Sequence, residues 1–543
     1  MQNNMKRTWL LLVLIVFIAA AVRLWHLGLT PPSPDWDEAA LGYNAYSMLL
    51  TGKDEYGTSF PLALRSFDDY KPPLYMYMTI PSVAMFGLSV WSTRLPSAVM
   101  GILAVLGTFF FVKELLRKWG KDKTILESVP LIVSFLLAIS PWHIQFSRIA
   151  FEANTGVTLN IWAAFFFLRN KKTLWVSALL FGLSLYAYHS ERIFAPMFLL
   201  LLALLDWKEI WLNKKSVYTA LAVGLFTVIP MIVMFTNPTT LMRLKGTSSL
   251  SDQTALLSSS VRLLEDDIAR GDRLGMVFDN RRIVWVKTVA DGYLSHFSLK
   301  WLFLQGDLPR HHAPDMGLLY LVELPFLLWG IVSIAKRGGK LAVFLFVWVL
   351  IAPISASVTT GLPHAIRTLV FLPVFQIFTA CGIYEYIVWI RNGKRWKKIT
   401  LPIIFFLAFF NIVYYVHMYF VHMDMEYSDY WQYGYKQAVE YAEANKGAYK
   451  SVVVSTKLEQ PHMFFLFYTK YDPKKYLSGG GTASGGFREV KNHFDVYDFR
   501  PIHWDTEVKD GTILYIGTPS EIPDGSLGVI KYLDGRDAIH IAK

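Results

Sequence analysis

The stretch WLLLVLIVFIAAAV, Trp9–Val22, decides the fold, because it runs without a single charge. SAVMGILAVLGTFFFV, Ser97–Val112, and ITLPIIFFLAFFNIVYYV, Ile399–Val416, read the same way. Each block approaches the roughly 20 apolar residues that carry a helix across a hydrocarbon core. Only a helix satisfies its own backbone there without an open edge, so such blocks are read as spanning helices. Composition agrees. Of 543 residues, 53% are hydrophobic and 15% aromatic against 17% charged, too apolar for a soluble chain of this length.

Working outward from these blocks, the sequence predicts a polytopic α-helical membrane protein with about eleven spans. They lie near residues 8–27, 95–112, 128–146, 154–168, 173–188, 192–207, 216–236, 316–335, 341–356, 366–390 and 399–421. The alternate links, starting with Lys6 and Arg7, hold 21 Lys plus Arg against 5 Asp plus Glu, which makes them cytoplasmic. The net charge of +11 is therefore a membrane signature. It sits in short links and not on a basic face, so no nucleic-acid partner is expected. Pro72–Trp91 is apolar enough to be another span, but crossing would move every later basic link outside. It is expected to lie along the outer interface as a proline-led amphipathic helix. The first block also fits a signal peptide with a cleavage-like Ala19–Ala21, although the spanning reading explains it better.

The expected organisation is a transmembrane domain over 1–422 and an exterior soluble α/β domain over 423–543. Residues 28–94 form a first exterior loop with interfacial helices, and 237–315 a long exterior loop. The tail has a helix-like YWQYGYKQAVEYAEA from Tyr430, strand-like SVVVST, FFLFYT, TILYIGT and GVIKYL, and a flexible glycine stretch at 479–486. The tail is long enough to bury its own core. A lone cysteine, Cys381, excludes an internal disulfide. The expected location is the plasma membrane, multi-pass, with the active site and tail on the exterior face.

Chemistry concentrates on that face. In PPSPDWDEAAL, Asp35, Asp37 and Glu38 crowd where the first span leaves the bilayer. Mutual repulsion and desolvation raise the proton affinity of one such carboxylate and make it a usable base. Arg148 and Glu152 in SPWHIQFSRIAFEANTG, and His189, Glu191 and Arg192 in LYAYHSERIFAP, lie against apolar spans. Charge there is costly unless paired or facing a wet cavity. TTGLPHAIRT adds His364 and Arg367. Cations converging from separate links suit a lipid phosphate, with arginine the better clamp. His311 and His312 in GDLPRHHAPDMG suggest a metal, but adjacent histidines cannot easily ligate one ion alone. No cofactor is expected, and a divalent metal is the weaker alternative.

Asp37–Glu38 after the first span, K-P-P-L at Lys71–Leu74, R-L-P-S-A at Arg94–Ala98, and the S-P and S-R pairs of the next outside link resemble the protein O-mannosyltransferase superfamily. Its bacterial branches include the aminoarabinose transferase of lipid A and mannosyltransferase-like envelope enzymes. The resemblance covers roughly residues 5–210. It implies the C-type glycosyltransferase fold, a polyprenyl-phosphate-linked sugar donor, and inversion at the anomeric carbon. It makes Asp37 the leading base, with Glu38 beside it. Glu152 stands where relatives often have aspartate after the arginine of the second link. The resulting assignment has Asp37 as base, Glu38 and Glu152 as acceptor-orienting acids, and Lys71, Arg148, Arg192 and Arg367 as donor phosphate clamps. The acceptor is an envelope glycan, lipid or protein, and membrane lipids surround the chain. A transporter or flippase of lipid-linked sugars is the first rival, and a non-catalytic envelope scaffold the second. The long exterior loops and carboxylates gathered on one face favour an enzyme over both.

Overall fold

The computed structural model describes residues 2–67, 69–120, 123–235, 254–393, 395–485, 491–523 and 525–543. The beginning of the long exterior loop, 237–253, and Gly486 of the glycine stretch lie outside these residues. Counting helices of six residues or more, the first are α1 (Gln2–Leu24), α2 (Trp36–Thr51), α3 (Leu74–Phe86), α4 (Val90–Trp119), α5 (Val129–Ile139), α6 (Pro141–Arg148) and α7 (Ala153–Arg169). Then come α8 (Leu174–Ser184), α9 (Glu191–Leu205), α10 (Trp207–Leu212), α11 (Lys214–Phe235), α12 (Thr254–Arg270), α13 (Arg273–Phe278) and α14 (Arg281–Ser295). The last are α15 (Leu324–Arg337), α16 (Gly339–Ile351), α17 (Val374–Arg391), α18 (Thr400–His417), α19 (Tyr435–Asn445), α20 (Pro461–Thr469) and α21 (Pro473–Ser478).

Among the described residues, six helical segments are long and apolar enough to cross a membrane: Met5–Leu24, Val90–Trp119, Lys214–Ile232, Gly339–Ser357, Leu369–Arg391 and Lys397–Glu426. A seventh is the pair α5 and α6, bent by 56° where Pro141 starts a new helix without a backbone donor to continue the old one. Each of the eleven expected segments contains helix. Those near 154–168, 173–188, 192–207 and 316–335 are α7, α8, α9 and α15, only 17, 11, 15 and 14 residues long. Proline-led α3 has 13 residues, about 20 Å, and ends at Gly87 in the left-handed φ region, so it is too short to cross.

One large apolar cluster joins α1, α4, α5, α7, α9, α16 and α17 into the helical body. A second departs from the expected domain division. Ala39, Leu41, Tyr43, Tyr75 and Met76 of the segment 28–94 pack in one core with Met463, Phe464, Phe465, Leu466 and Tyr497 of the tail. The tail thus shares its core with α2 and α3. Its sheet has six strands in the order β4-β5-β3-β6-β8-β7, with β3 (Ser451–Val454) parallel to β5 (Tyr497–Phe499) and β6 (Ile513–Gly517). The antiparallel members are β4 (Asn492–Phe494), β7 (Gly528–Lys531) and β8 (Asp537–Ala542). A two-stranded hairpin, β1 (Leu64–Ser66) and β2 (Asp69–Lys71), closes the first loop. Three expected tail strands are found as β3, β6 and β7. The fourth, FFLFYT, is helix α20, begun by Pro461 at its first position and buried on all sides between the sheet and α2. A continuous apolar run has no period to separate strand from helix.

Arg148 shows why the helix ends sit where they do. Its guanidinium donates to the carbonyls of Val22, Arg23, Trp25, His26 and Thr30 at 2.6–3.3 Å, and the side chain is fully buried. Val22 and Arg23 belong to the last turn of α1, whose carbonyls a helix leaves without partners, and Trp25, His26 and Thr30 to the turn that follows. The expected phosphate clamp is therefore occupied as the cap of α1, with no face turned to a ligand. Arg148→Ala should cost on the order of 3 kcal/mol by orphaning buried acceptors. Lysine should recover only part, since an ammonium cannot fan across five carbonyls. Thermal unfolding of the purified protein checks this, with both variants melting below the parent.

Candidate active site

The loop after α1 enters α2 through a capping box. Asp35 accepts from the Glu38 amide at 2.9 Å, and the Glu38 carboxylate accepts from the Asp35 amide at 3.3 Å. Asp35 and Glu38 thus hold two of the N–H groups that the first turn leaves open. Glu38 does more. Its oxygens take Arg94 Nε and Nη2 at 2.9 and 2.8 Å and the Ala150 amide at 2.7 Å, and it is fully buried. Arg94 in turn donates to the carbonyls of Leu27, Pro31 and Ser33. Glu38 therefore pins four chain segments together and has no side exposed to an acceptor, which replaces the orienting role expected for it.

Asp37 is different. It lies in the same first turn with its side chain 31% exposed, and Lys71 at the end of β2 bonds its Oδ1. Lys71 itself is 8% exposed, so an ammonium is held under a carboxylate that reaches solvent. Within the K-P-P-L turn, the Leu74 amide donates to the Tyr186 carbonyl at 3.1 Å, fastening this hairpin to the C-terminal end of α8. Beside that carbonyl, Arg192 Nε donates to Leu185 O at 3.3 Å and Arg192 Nη1 meets His189 Nδ1 at 3.1 Å. Asp37 and Lys71 are thus bonded to each other, and the Leu74–Tyr186 bond ties their segment to the turn that Arg192 holds. Glu152 is 7% exposed at the start of α7 and makes no cap to its own helix. Arg367 turns back on its own loop, donating to Thr359 Oγ1 and the Thr360 carbonyl at 2.5 and 2.7 Å.

Sequence reading missed two partners of this site. Arg310 donates to Asp35 Oδ2 at 2.7 Å and covers the Trp36 ring at 4.7 Å. Asp307 accepts from the Ala365 amide at 2.7 Å and from His311 Nδ1 at 2.8 Å. Burial pushes the Asp307 carboxyl up, yet the charge and hydrogen bond of His311 hold it below the usual carboxylate range. Asp307, His311 and His364 could hold an ion, whereas His312 turns its Nδ1 to the Ala313 carbonyl and its ring edge to Tyr427. The signal for Arg310 and Asp307 was present in GDLPRHHAPDMG but was read only for its histidines.

Burial pushes Asp35 up from 3.8 to about 7 in spite of Arg310, and Asp37 and Glu38 push the same way. A carboxyl whose folded value is raised binds more protons folded than unfolded between those values. Stability conferred through Asp35 is accordingly greatest near pH 4 and falls as the pH rises through about 7. Asp35→Asn keeps a good cap but cannot ionise. Its melting temperature should lack the parental decline across this window, which unfolding scans over a pH series will show.

Residues 70–234 match the family described as dolichyl-phosphate-mannose-protein mannosyltransferase. No curated protein matches the chain. Among solved structures, ArnT from Cupriavidus metallidurans in the apo state has 12% identity and a TM-score of 0.53, with 99% of this chain and 98% of that chain covered. ArnT bound to undecaprenyl phosphate gives 12% identity and 0.53, covering 97% of each. The archaeal oligosaccharyltransferase AglB from Archaeoglobus fulgidus, in complex with an inhibitory peptide and a dolichol-phosphate, gives 13% identity and 0.49, with 85% of this chain covered. This chain spans 63% of AglB's length. The chain thus shares the fold of ArnT, and within it residues 70–234 match the mannosyltransferase family model.

Proposed function

We propose that the chain moves a sugar from a polyprenyl phosphate carrier to an envelope acceptor on the exterior face of the plasma membrane. One observation carries this reading: an apolar groove of about 500 Å³ between α8, α9 and α11 reaches Leu185, whose carbonyl accepts from Arg192. Phe167 and Leu174 line its inner end and Leu185 its outer end. Leu221 and Leu225 on α11 are 56% and 59% exposed, so the groove is open on its lipid side. An isoprenoid tail suits such a groove, since every buried CH₂ contributes about 0.8 kcal/mol. The tail's phosphate then arrives beside Arg192, whose Nε already bonds the Leu185 carbonyl.

The chemistry needs one base and a stabilised leaving group. The Asp37 carboxylate, paired with Lys71 and reaching solvent, accepts the proton of an acceptor hydroxyl. That oxygen attacks the anomeric carbon from the face opposite the carrier. The carbon–phosphate oxygen bond breaks with inversion, and the departing phosphate gathers its charge against Lys71 and Arg192. Glu152, buried nearby at the start of α7, is proposed to support the acceptor. The positive-inside charge pattern supports the exterior side.

Asp37→Asn retains shape and loses the proton acceptor. Turnover should fall on the order of a hundredfold or more while donor binding persists. Lys71→Met should weaken donor binding as well. Labelled sugar transfer from a purified polyprenyl donor to membrane extract, with donor binding measured separately, is the test. Parental turnover in Asp37→Asn would remove it from the base role, and loss confined to Glu152→Gln would transfer that role to α7.

A further inference from the structure

Two exterior loops that are distant in sequence bring a carboxylate and two imidazoles to one point. Asp307, His311 and His364 each offer a ligand atom, and these atoms all lie within 4.8 Å of one another. We propose that this cluster binds one divalent transition-metal ion, zinc by its ligand chemistry, and that the ion locks the turn bearing Arg310 against the start of α2.

The donor set suits this class of ion. One carboxylate and two imidazoles, without thiolate, fit a borderline cation better than the all-oxygen shell that calcium or magnesium prefers. With bonds of about 2.0–2.1 Å, tetrahedral ligand atoms stand roughly 3.4 Å apart. Small torsion changes spread over three side chains close the remaining gap. The site is also dry: the side chains of Asp307 and His311 are 7% and 5% exposed. Asp307 spends Oδ2 on the Ala365 amide and His311, while its Oδ1 is buried with no hydrogen-bond partner. A buried acceptor in that condition costs about 1–3 kcal/mol, and a cation is the group that compensates a carboxylate most fully.

The surroundings hold the ligands in place. His296 Nδ1 meets the Gly292 carbonyl at 2.7 Å, so it carries the proton and leaves Nε2 to accept from the His364 amide at 3.1 Å. The Phe146 ring packs against His311 with centroids 5.4 Å apart. Gln145 Nε2 donates to the Arg310 carbonyl at 2.6 Å. Arg310 stands between two of the ligands and reaches Asp35, the cap of the helix that bears Asp37. The ion is therefore a positioning element, since outer contacts of this kind orient metal ligands and transmit their placement.

Metal content can be measured apart from sugar transfer, so failure of this site and failure of the transferase reading are distinguishable. The full chain, purified in detergent and dialysed against metal-depleted buffer, should retain about one zinc per chain by elemental mass spectrometry, one ion for one site. Asp307→Asn and His364→Gln should each lose most of it while eluting as the parent does on gel filtration. Stripped parental protein titrated with cobalt should develop the visible bands of a tetrahedral complex, a readout that needs no variant. Chelation should lower the parental melting temperature and leave that of His364→Gln unchanged. No bound metal together with no cobalt spectrum would overturn the proposal, leaving an ion-free Asp307–His311 pair. Undiminished metal in both variants would overturn it equally.

Discussion

Taking a carboxylate and a guanidinium out of water together costs several kcal/mol per ion, and only close geometry and further hydrogen bonds return that cost. Glu38 and Arg94 meet the condition, with bidentate contact, the Ala150 amide on one side and three loop carbonyls on the other. Neither side chain is exposed beyond 1%. The exit of α1, the start of α2, the start of α4 and the link before α7 all meet at this pair. Arg148 closes the adjoining carbonyls at the end of α1. With two arginines and one acid spent on architecture, the first turn of α2 becomes a rigid platform. Asp37, one residue from Glu38 and on a different face of that turn, can then reach solvent at a fixed place.

Much of this was legible in the sequence. The apolar blocks and their basic links told of a helical membrane body, and the acidic run after the first block marked the site that Asp37 occupies. Asp37 and Lys71, 34 positions apart, were singled out separately, and the structure shows them bonded. What the sequence could not supply was pairing. Glu38, Arg148 and Asp37 look alike as charges beside a span, yet two are buried and one reaches out. The difference comes from long-range contacts such as Glu38 with Arg94 and Ala150, which no local pattern encodes. Helix length was overestimated for a related reason. An apolar block continues through a turn, as at Pro141, whereas a helix stops when its backbone is capped or broken. The tail was misread in one place because FFLFYT is buried all round and so carries no periodicity.

The shared core of the tail and first loop also bears on the site. Tail residues reach the platform directly: Gln432 Oε1 accepts from the Trp36 amide at 3.0 Å, and Thr482 and His462 meet the buried Glu55. Burial pushes the Glu55 carboxyl up, and the contacts with His462, Asn44 and Thr482 oppose that push. The tail therefore braces the loop that presents Asp37, and its removal would expose the apolar faces of α2 and α3. Motion of the loop is constrained from three sides, by α4, by the tail and by the Arg310 turn.

The proposed path seats a lipid carrier in the groove between α8, α9 and α11 with its phosphate toward Arg192. Its most direct test is photocrosslinking in nanodiscs with a polyprenyl phosphate bearing a diazirine near the middle of its chain, followed by peptide mapping. Label should concentrate on groove residues such as Leu221, Leu225 and Ala178 and be competed by unlabelled polyprenyl phosphate. Competable label in the apolar groove between α15, α17 and α18, with none between α8, α9 and α11, would contradict this path.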